Sequence, residues 1–367
     1  MSMERPYILW LDDPAAANNP ALGGKFSSLA QSTATGLPVP PGFGITTFAY
    51  RDFMAAAGLE EEARRVRAIA AGIAPERIAA ETKSLVEAIK SAPLPAALED
   101  AVRKAYEELS ARTGVAAVPV AVRSSGESED LAGASFAGQY ETFLWVTRAD
   151  QVLGDMRRCW AGMYGDAVLS YKHEGNAVVA NGDFGICVGI QQMVQARAAG
   201  VMFTLDPITG DRSKISIETC WGLGEGVVKG DISPSQFLAD KVMLSVLRRR
   251  IASQAEEYRF DSNLGTVGLF PVDGERQNES PLSEQEVIEL ATLGKRIEKE
   301  RGAPQDIEWA LGADGTINVL QVRPETVWST RQAKPTISIS SPINHVLARL
   351  SGGAFSSNRA AVSKERK

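Results

Sequence analysis

Glu308, Gln321 and Arg323 fall in two apolar runs, Gln305-Asp-Ile-Glu-Trp-Ala310 and Asn318-Val-Leu-Gln-Val-Arg-Pro-Glu-Thr326. The runs read as neighbouring strands joined by a Gly-Ala-Asp-Gly turn, so a carboxylate, an amide and a guanidinium converge on one sheet face. The two oxygen-bearing groups can hold a hard divalent cation such as magnesium. The guanidinium can grip phosphates that share the cation.

Four further patterns carry polar chemistry. Leu22-Gly-Gly-Lys25 opens a helical pattern (Phe26, Leu29, Ala30) that closes at Gly36. Glycines at a helix start let backbone amides approach an anion, and Lys25 adds positive charge there. No Ser or Thr follows the lysine as in a Walker P-loop. Val120-Ala-Val-Arg-Ser-Ser125 ends an apolar strand with Arg123, which suits either a buried ion pair or an oxyanion grip. Ala134 to Thr142 is a small-residue turn entering a strand. It reads either as an ordinary hairpin or as backbone N–H groups laid along a polyphosphate. Ile190-Gln-Gln-Met-Val194 ends another apolar strand before an Ala- and Gly-rich break. Such an inter-lobe strand can offer its backbone to an adenine edge, with Met193 on the ring; the other reading makes Met193 plain core. Trp221-Gly-Leu-Gly-Glu-Gly-Val-Val-Lys-Gly230 lacks the third glycine of a dinucleotide fingerprint, because Val227 stands there. It reads as a flexible glycine loop bringing Glu225 beside a nucleotide.

The elements that must position these groups follow from periodicity. The region 1–115 reads as mostly helical. Within it Leu98, Val102, Tyr106 and Leu109 form one face, Pro95 takes a first helical position and Gly114 is the stop. Period-two texture runs from Pro119 to Val146, and a helical stretch covers about 149–173. Strands are expected over 185–194, 201–205 and 214–218. Ser283 and Glu286 form a capping box for a helix presenting Val287, Leu290, Ala291 and Ile297, ended by Gly302 and Pro304. The division this suggests is a first lobe over 1–195, a second over 196–327, and a linker or partner-docking tail over 328–367.

The chain of 367 residues carries a net charge of −6 and no basic block, which argues against nucleic acid or an anionic membrane as partner. Its longest early apolar run, Tyr7 to Leu11, is too short for a signal core or a span. Cys159, Cys187 and Cys220 have no Cys-x-x-Cys spacing and read as reduced, buried thiols of a cytoplasmic protein. With only 2 histidines, His173 and His345, zinc clusters and Ser-His-Asp triads are excluded.

In order, the segments LGGKFSSL, GLPVPPGFGITTFAY, AVRSSGESEDLAGASFAGQYETFL, IQQMV, AGVMFTLDP, CWGLGEGVVKGDISP, DIEWA and LQVRPETV resemble one known domain. It is the N-terminal ATP-binding domain of the phosphoenolpyruvate synthase and pyruvate phosphate dikinase family. The resemblance runs from Gly23 to Thr326. It implies an α/β (α+β), ATP-grasp-like fold whose two lobes clamp ATP, with magnesium as cofactor. It also implies that Lys25 and Arg123 bind phosphates, Gly138 and Thr142 line a phosphate loop, and Gln191 and Met193 flank adenine. Glu225 would touch the nucleotide, Glu308 and Gln321 would hold magnesium, and Arg323 would reach the terminal phosphates. Lys25, Arg123 and Arg323 are the catalytic candidates. Gly126 and Ser128 depart from the family's usual Ala-Thr-Ala stretch, and the turn between Glu308 and Gln321 is a residue longer.

Family members pass phosphate through a histidine in a Ser-His-Ala-like motif on a swivelling domain. This sequence has no such motif, and the settings of His173 and His345 lack its glycine-rich character. The resemblance therefore points to a nucleotide-binding subunit of a split enzyme, active only with a separate subunit carrying the phosphohistidine. Phenylphosphate synthases and related aryl or alkyl (4-methylbenzyl) phosphate synthases are arranged in this way. AMP and inorganic phosphate would leave, and the acceptor, a phenol or benzylic alcohol, would sit on the partner. Two other expectations stand beside this: a regulatory subunit that senses ATP without chemistry, and a phosphoenolpyruvate synthase-like subunit acting on pyruvate.

Overall fold

Two antiparallel sheets organise the protein, seen in a computed structural model that describes residues 5–70, 72, 75–126, 141–165, 168–169 and 185–328. The first contains β1 (Ile8–Trp10), β2 (Gly42–Ile45), β3 (Val120–Gly126), β4 (Thr142–Val146) and β5 (Ile186–Gln192), in the order β1-β2-β5-β3-β4. The second contains β6 (Ala196–Phe203), β7 (Lys214–Trp221), β8 (Ser235–Asp240), β9 (Ser245–Arg250), β12 (Gln305–Gly312) and β13 (Ile317–Pro324), in the order β13-β12-β6-β7-β8-β9. Among the described residues, β10 (Glu256–Asp261) and β11 (Thr266–Pro271) form a separate two-stranded sheet. The change of sheet falls between Gln192 and Ala196, so the segment Met193–Gln195 connects the two. Residues up to Trp328 form one compact unit. The remainder of the expected tail, with His345, lies outside the described residues, as does His173.

The helices are α1 (Gly23–Ala34), α2 (Thr47–Ala56), α3 (Glu60–Ala70), α4 (Pro75–Ser91), α5 (Ala96–Thr113), α6 (Ala149–Gly162), α7 (Glu225–Lys229) and α8 (Glu284–Arg301). Their ends obey the capping chemistry read from sequence. Ser283 accepts from the Glu286 backbone, while the Glu286 side chain accepts from the Ser283 N–H. Gly114 and Gly302 stop α5 and α8 at φ 68° and 73°, where a Cβ would be disfavoured. Pro95 is the N-cap of α5, one place before the expected first helical position.

Each sheet has its own core. Phe43, Phe53, Trp160 and Val188 are buried between the first sheet and the helices α2 to α6. Ile307, Trp309, Leu290 and Ile297 are buried between the second sheet and α8. Helix α1 serves both sheets. Its Phe26 and Leu29 pack with buried Cys187 of β5, while Ser28 donates to the Val322 carbonyl of β13 at 2.7 Å. The three cysteines are free and buried, and burial pushes the Cys220 thiol up to about 12. Among the described residues, no helix is long and apolar enough to cross a membrane.

Several elements differ from the sequence expectation. Among the described residues, the first 115 hold five α-helices but also β1 and β2; β1 is too short, and β2 too short and glycine-rich, for a period-two signal. Gly42 and Gly44 belong in β2 because a Cβ would lie 2.4 Å from the Ile190 carbonyl and 2.2 Å from Leu22 respectively. The helical stretch expected over about 149–173 is interrupted: α6 ends at Gly162, Val168 and Leu169 are again helical, and 170–173 lie outside the described residues. β6 starts at Ala196, not at 201, so the break after β5 is shorter than read. Among the described residues, four non-glycine positions have positive φ: Asn18, Ala117, Trp145 and Leu244. Trp145 has φ 61°, a region costing a bulky residue about 1–3 kcal/mol.

Candidate functional site

The β12–β13 hairpin sets the polar face. Its register puts Glu308 opposite Gln321 and Asp306 opposite Arg323, with a bulge immediately after Glu308. Facing residues share a side of the sheet, so four polar groups stand in a square. Arg123, from β3 of the other sheet, reaches across to them. One guanidinium nitrogen lies 3.1 Å from Glu308 Oε2 and 2.9 Å from Gln321 Oε1, and a second donates to the Leu320 carbonyl at 3.2 Å. Of the two readings open for Arg123, the geometry contains the ion pair, and that pair spans both sheets. Arg323 is held by Asp306, whose Oδ2 accepts from Nε at 2.8 Å and lies 2.6 Å from Nη2. Burial pushes the Asp306 carboxyl up, with Glu308 and Glu325 adding to the rise and Arg323 opposing it.

These groups open onto a cavity of about 1020 Å³. Its lining draws Lys25 from α1, Arg123 from β3, Thr142 from β4, Gln191 from β5, Met193 from the inter-sheet segment and Glu225 from α7. Glu308, Gln321 and Arg323 complete the set. Gly138, the remaining residue expected to bind the nucleotide, lies outside the described residues. The space is at the upper end of ordinary small-molecule sites and suits a ligand of nucleotide size. Its walls are mixed: Phe143, Leu144, Leu223 and Val228 give apolar surface near the ionic face. Gln191 is 3% exposed, and its side-chain Nε2 has no hydrogen-bond partner among the described residues. A buried amide left without a partner costs about 1–3 kcal/mol, which a bound acceptor would recover. Asp306 Oδ1 is in the same condition.

Three local expectations need correction. The Met193 backbone N–H donates to the Pro119 carbonyl at 2.8 Å, so it is not free to meet an adenine edge; the half-buried side chain still lines the cavity. Glu225 does not sit on a flexible glycine loop. It begins the short helix α7 and pairs with Lys229 at 3.0 Å, one turn on. Gly23 serves packing rather than an anion: at φ 64° its missing Cβ leaves room for the Ser125 carbonyl, which a Cβ would approach to 2.1 Å. Ser125 Oγ then donates to Leu22 O at 2.8 Å and accepts from Phe26 N at 3.2 Å, seating α1 on β3. Gly23→Ala is therefore expected to destabilise the protein by about 3 kcal/mol, from overpacking against backbone plus a disfavoured φ. A thermal melt unchanged from wild type would contradict this seating.

Sequence reading missed Asp306 and Glu325, both lining the cavity. Asp306 carried a usable signal: it stands two residues before Glu308 in a strand, hence on the same face.

The site is thus an ionic, nucleotide-sized cleft built from both sheets. A family model for the pyruvate phosphate dikinase AMP/ATP-binding domain matches residues 19–342. Curated relatives include the phosphoenolpyruvate synthase of Aeropyrum pernix, 36% identical over 95% of this chain and 46% of the relative. The phosphoenolpyruvate synthase of Neisseria meningitidis serogroup B is also 36% identical, over 89% of this chain and 43% of its own length. The chain spans less than half the length of these two relatives. Among solved structures, the ATP-grasp ligase PsnB complexed with minimal precursor is similar over 92% of this chain and 63% of its own. It has 12% identity and a TM-score of 0.28, too slight a likeness to carry an argument. The chain belongs to the pyruvate phosphate dikinase AMP/ATP-binding domain family, and the mixed α/β architecture is that of its ATP-binding domain.

Proposed function

We propose that the cleft binds ATP together with magnesium and presents the β-phosphorus to a histidine on a separate partner subunit. The observation that carries this reading is the convergence of Arg123, Glu308, Gln321 and Arg323 on one cavity that also holds Gln191, whose Nε2 has no hydrogen-bond partner among the described residues. The residues fit magnesium in kind, because Glu308 and Gln321 offer hard oxygen donors. Among the described residues no group of three His, Cys, Asp or Glu side chains could hold a metal alone. A cation here would complete its shell with phosphate oxygens and water, the usual habit of magnesium. When bound, it would neutralise phosphate charge and hold the chain of phosphates in line.

The protein's own groups do the rest. Lys25, Arg123 and Arg323 neutralise the phosphates, and Thr142 adds a hydroxyl at the cleft wall. Gln191 meets the base with its amide, while Met193 and Phe143 cover its apolar faces. Glu225 completes the nucleotide's surroundings. The imidazole nitrogen attacks the β-phosphorus, the bond from that phosphorus to the α-phosphate oxygen breaks, and AMP leaves with the electron pair. Such a transfer needs positioning and charge stabilisation more than covalent help from the protein. Hydrolysis then releases the outer phosphate as inorganic phosphate, leaving a phosphohistidine.

For the acceptor, two readings remain. The resemblance of the chain's motifs to the nucleotide-binding subunits of aryl and alkyl phosphate synthases favours a phenol or benzylic alcohol. The relatives named phosphoenolpyruvate synthase favour pyruvate. One experiment tests both: the purified chain, ATP, magnesium and a histidine-bearing partner subunit are mixed with each acceptor, and nucleotides and phosphoesters are resolved. AMP with a phosphorylated acceptor is the expected result, and the ester formed identifies the acceptor. ADP would mean simple kinase chemistry. Absence of turnover with tight ATP binding would favour a regulatory, ATP-sensing subunit.

A further inference from the structure

The two walls of the cleft are tied together a second time, by groups other than the ionic ones. β4 carries Phe143 and Leu144 into the cavity from the first sheet, and its next residue, Trp145, stacks on Phe260 of β10. The ring centroids are 4.8 Å apart and the planes differ by 10°. Among the described residues the β10–β11 hairpin is a strand of neither sheet, and a lone two-stranded hairpin has little stability of its own. Its other attachment is to the opposite wall. Tyr258 O accepts from Leu223 N at 2.8 Å, Gly222 forms an isolated bridge to Tyr258, and Lys229 Nζ lies 5.4 Å from the Tyr258 ring centroid. Leu223 and Lys229 line the cavity. The hairpin therefore joins a wall from one sheet to a wall from the other.

The Trp145 end of this connection is built rather than incidental. The β3–β4 register steps from Val120↔Val146 to Val122↔Phe143, so Leu144 and Trp145 form a bulge. The bulge places Trp145 at φ 61° and turns its ring towards the hairpin while Leu144 lines the cavity. Both rings are only half-buried, as expected for a contact that can part without opening a core.

We infer that the β10–β11 hairpin is a strap across the mouth of the cleft and that the Trp145–Phe260 stack is its releasable tie. Trp145 and Phe260 are positioning residues: they touch no reacting atom, and they set how often the walls separate. The kinetic part of this inference rests on the nucleotide reading above. The structural part does not.

The test uses Phe260→Ala, Trp145→Ala, the double variant and the conservative Trp145→Phe in the full chain. An aromatic stack of this kind is worth an about two- to tenfold change in an equilibrium. In Phe260→Ala, amides of β4 and of β10 are expected to exchange with deuterium faster together, by that factor, while β12 is unchanged. In stopped-flow binding of a nonhydrolysable ATP analogue with magnesium, both association and dissociation should accelerate. Trp145→Phe should restore wild-type rates, and the double variant should match either single alanine variant. Unchanged exchange in β4 and β10 would overturn the strap, as would alanine effects that simply add. A wild-type chain that binds no analogue would sink the nucleotide reading instead, and the exchange data would still decide whether the tie exists.

Discussion

Arg323→Ala is expected to lower AMP formation by about 10³-fold or more while the protein still folds. The arginine lines the cavity from β13, and Asp306 fixes its guanidinium through two contacts to one carboxylate oxygen. A guanidinium held ready where phosphate charge develops lowers the barrier without reorganising during the step. Removing it leaves Asp306 buried beside Glu308 and Glu325, with one oxygen already without a hydrogen-bond partner among the described residues. The variant should therefore also melt earlier than wild type. Combining it with Asp306→Asn separates the two effects: the melt should recover, because no charge is stranded, and the activity should not. Near-normal AMP formation in Arg323→Ala, measured with the partner subunit present, would remove this residue from the mechanism.

Glu308→Gln is expected to weaken magnesium-dependent nucleotide binding by about 100-fold, with little change in the fold. The substitution keeps the size of the side chain and an oxygen able to accept from Arg123, so the tie between the sheets persists. What it removes is the negative charge of the one carboxylate in the Glu308–Gln321 pair. Calorimetric titration with an ATP analogue over a range of magnesium concentrations checks it. The variant should respond to added magnesium far less than wild type. An unchanged magnesium dependence would place the cation elsewhere.

Much of this site could be read from the residues because its signals are local. A strand's period of two put Glu308 and Arg323 on marked positions. The Gly-Ala-Asp-Gly turn brought Gln321 opposite Glu308, as the observed register has it. Capping chemistry located both ends of α8. What the sequence concealed depends on contacts far apart in the chain. Arg123 meets Glu308 across a separation of 185 residues, and no local pattern could choose between an ion pair and an anion grip. The role of Gly23 follows from a strand about a hundred residues later, whose carbonyl fills the place of its side chain. β9 and β10 went unread because charge replaces clean alternation along them; β9, for example, ends in Arg248-Arg-Arg250. β1 was hidden by its length and β2 by its length and glycine content, which tertiary packing overrides.

The most direct test of the account is an anomalous difference map from crystals grown with manganese and a nonhydrolysable ATP analogue. The account predicts a manganese peak between the side-chain oxygens of Glu308 and Gln321 and the analogue's phosphates, with Lys25, Arg123 and Arg323 on the same phosphates and the base against Gln191. A map placing the ion or the analogue outside the cavity, with those two side chains turned to bulk water, would contradict it.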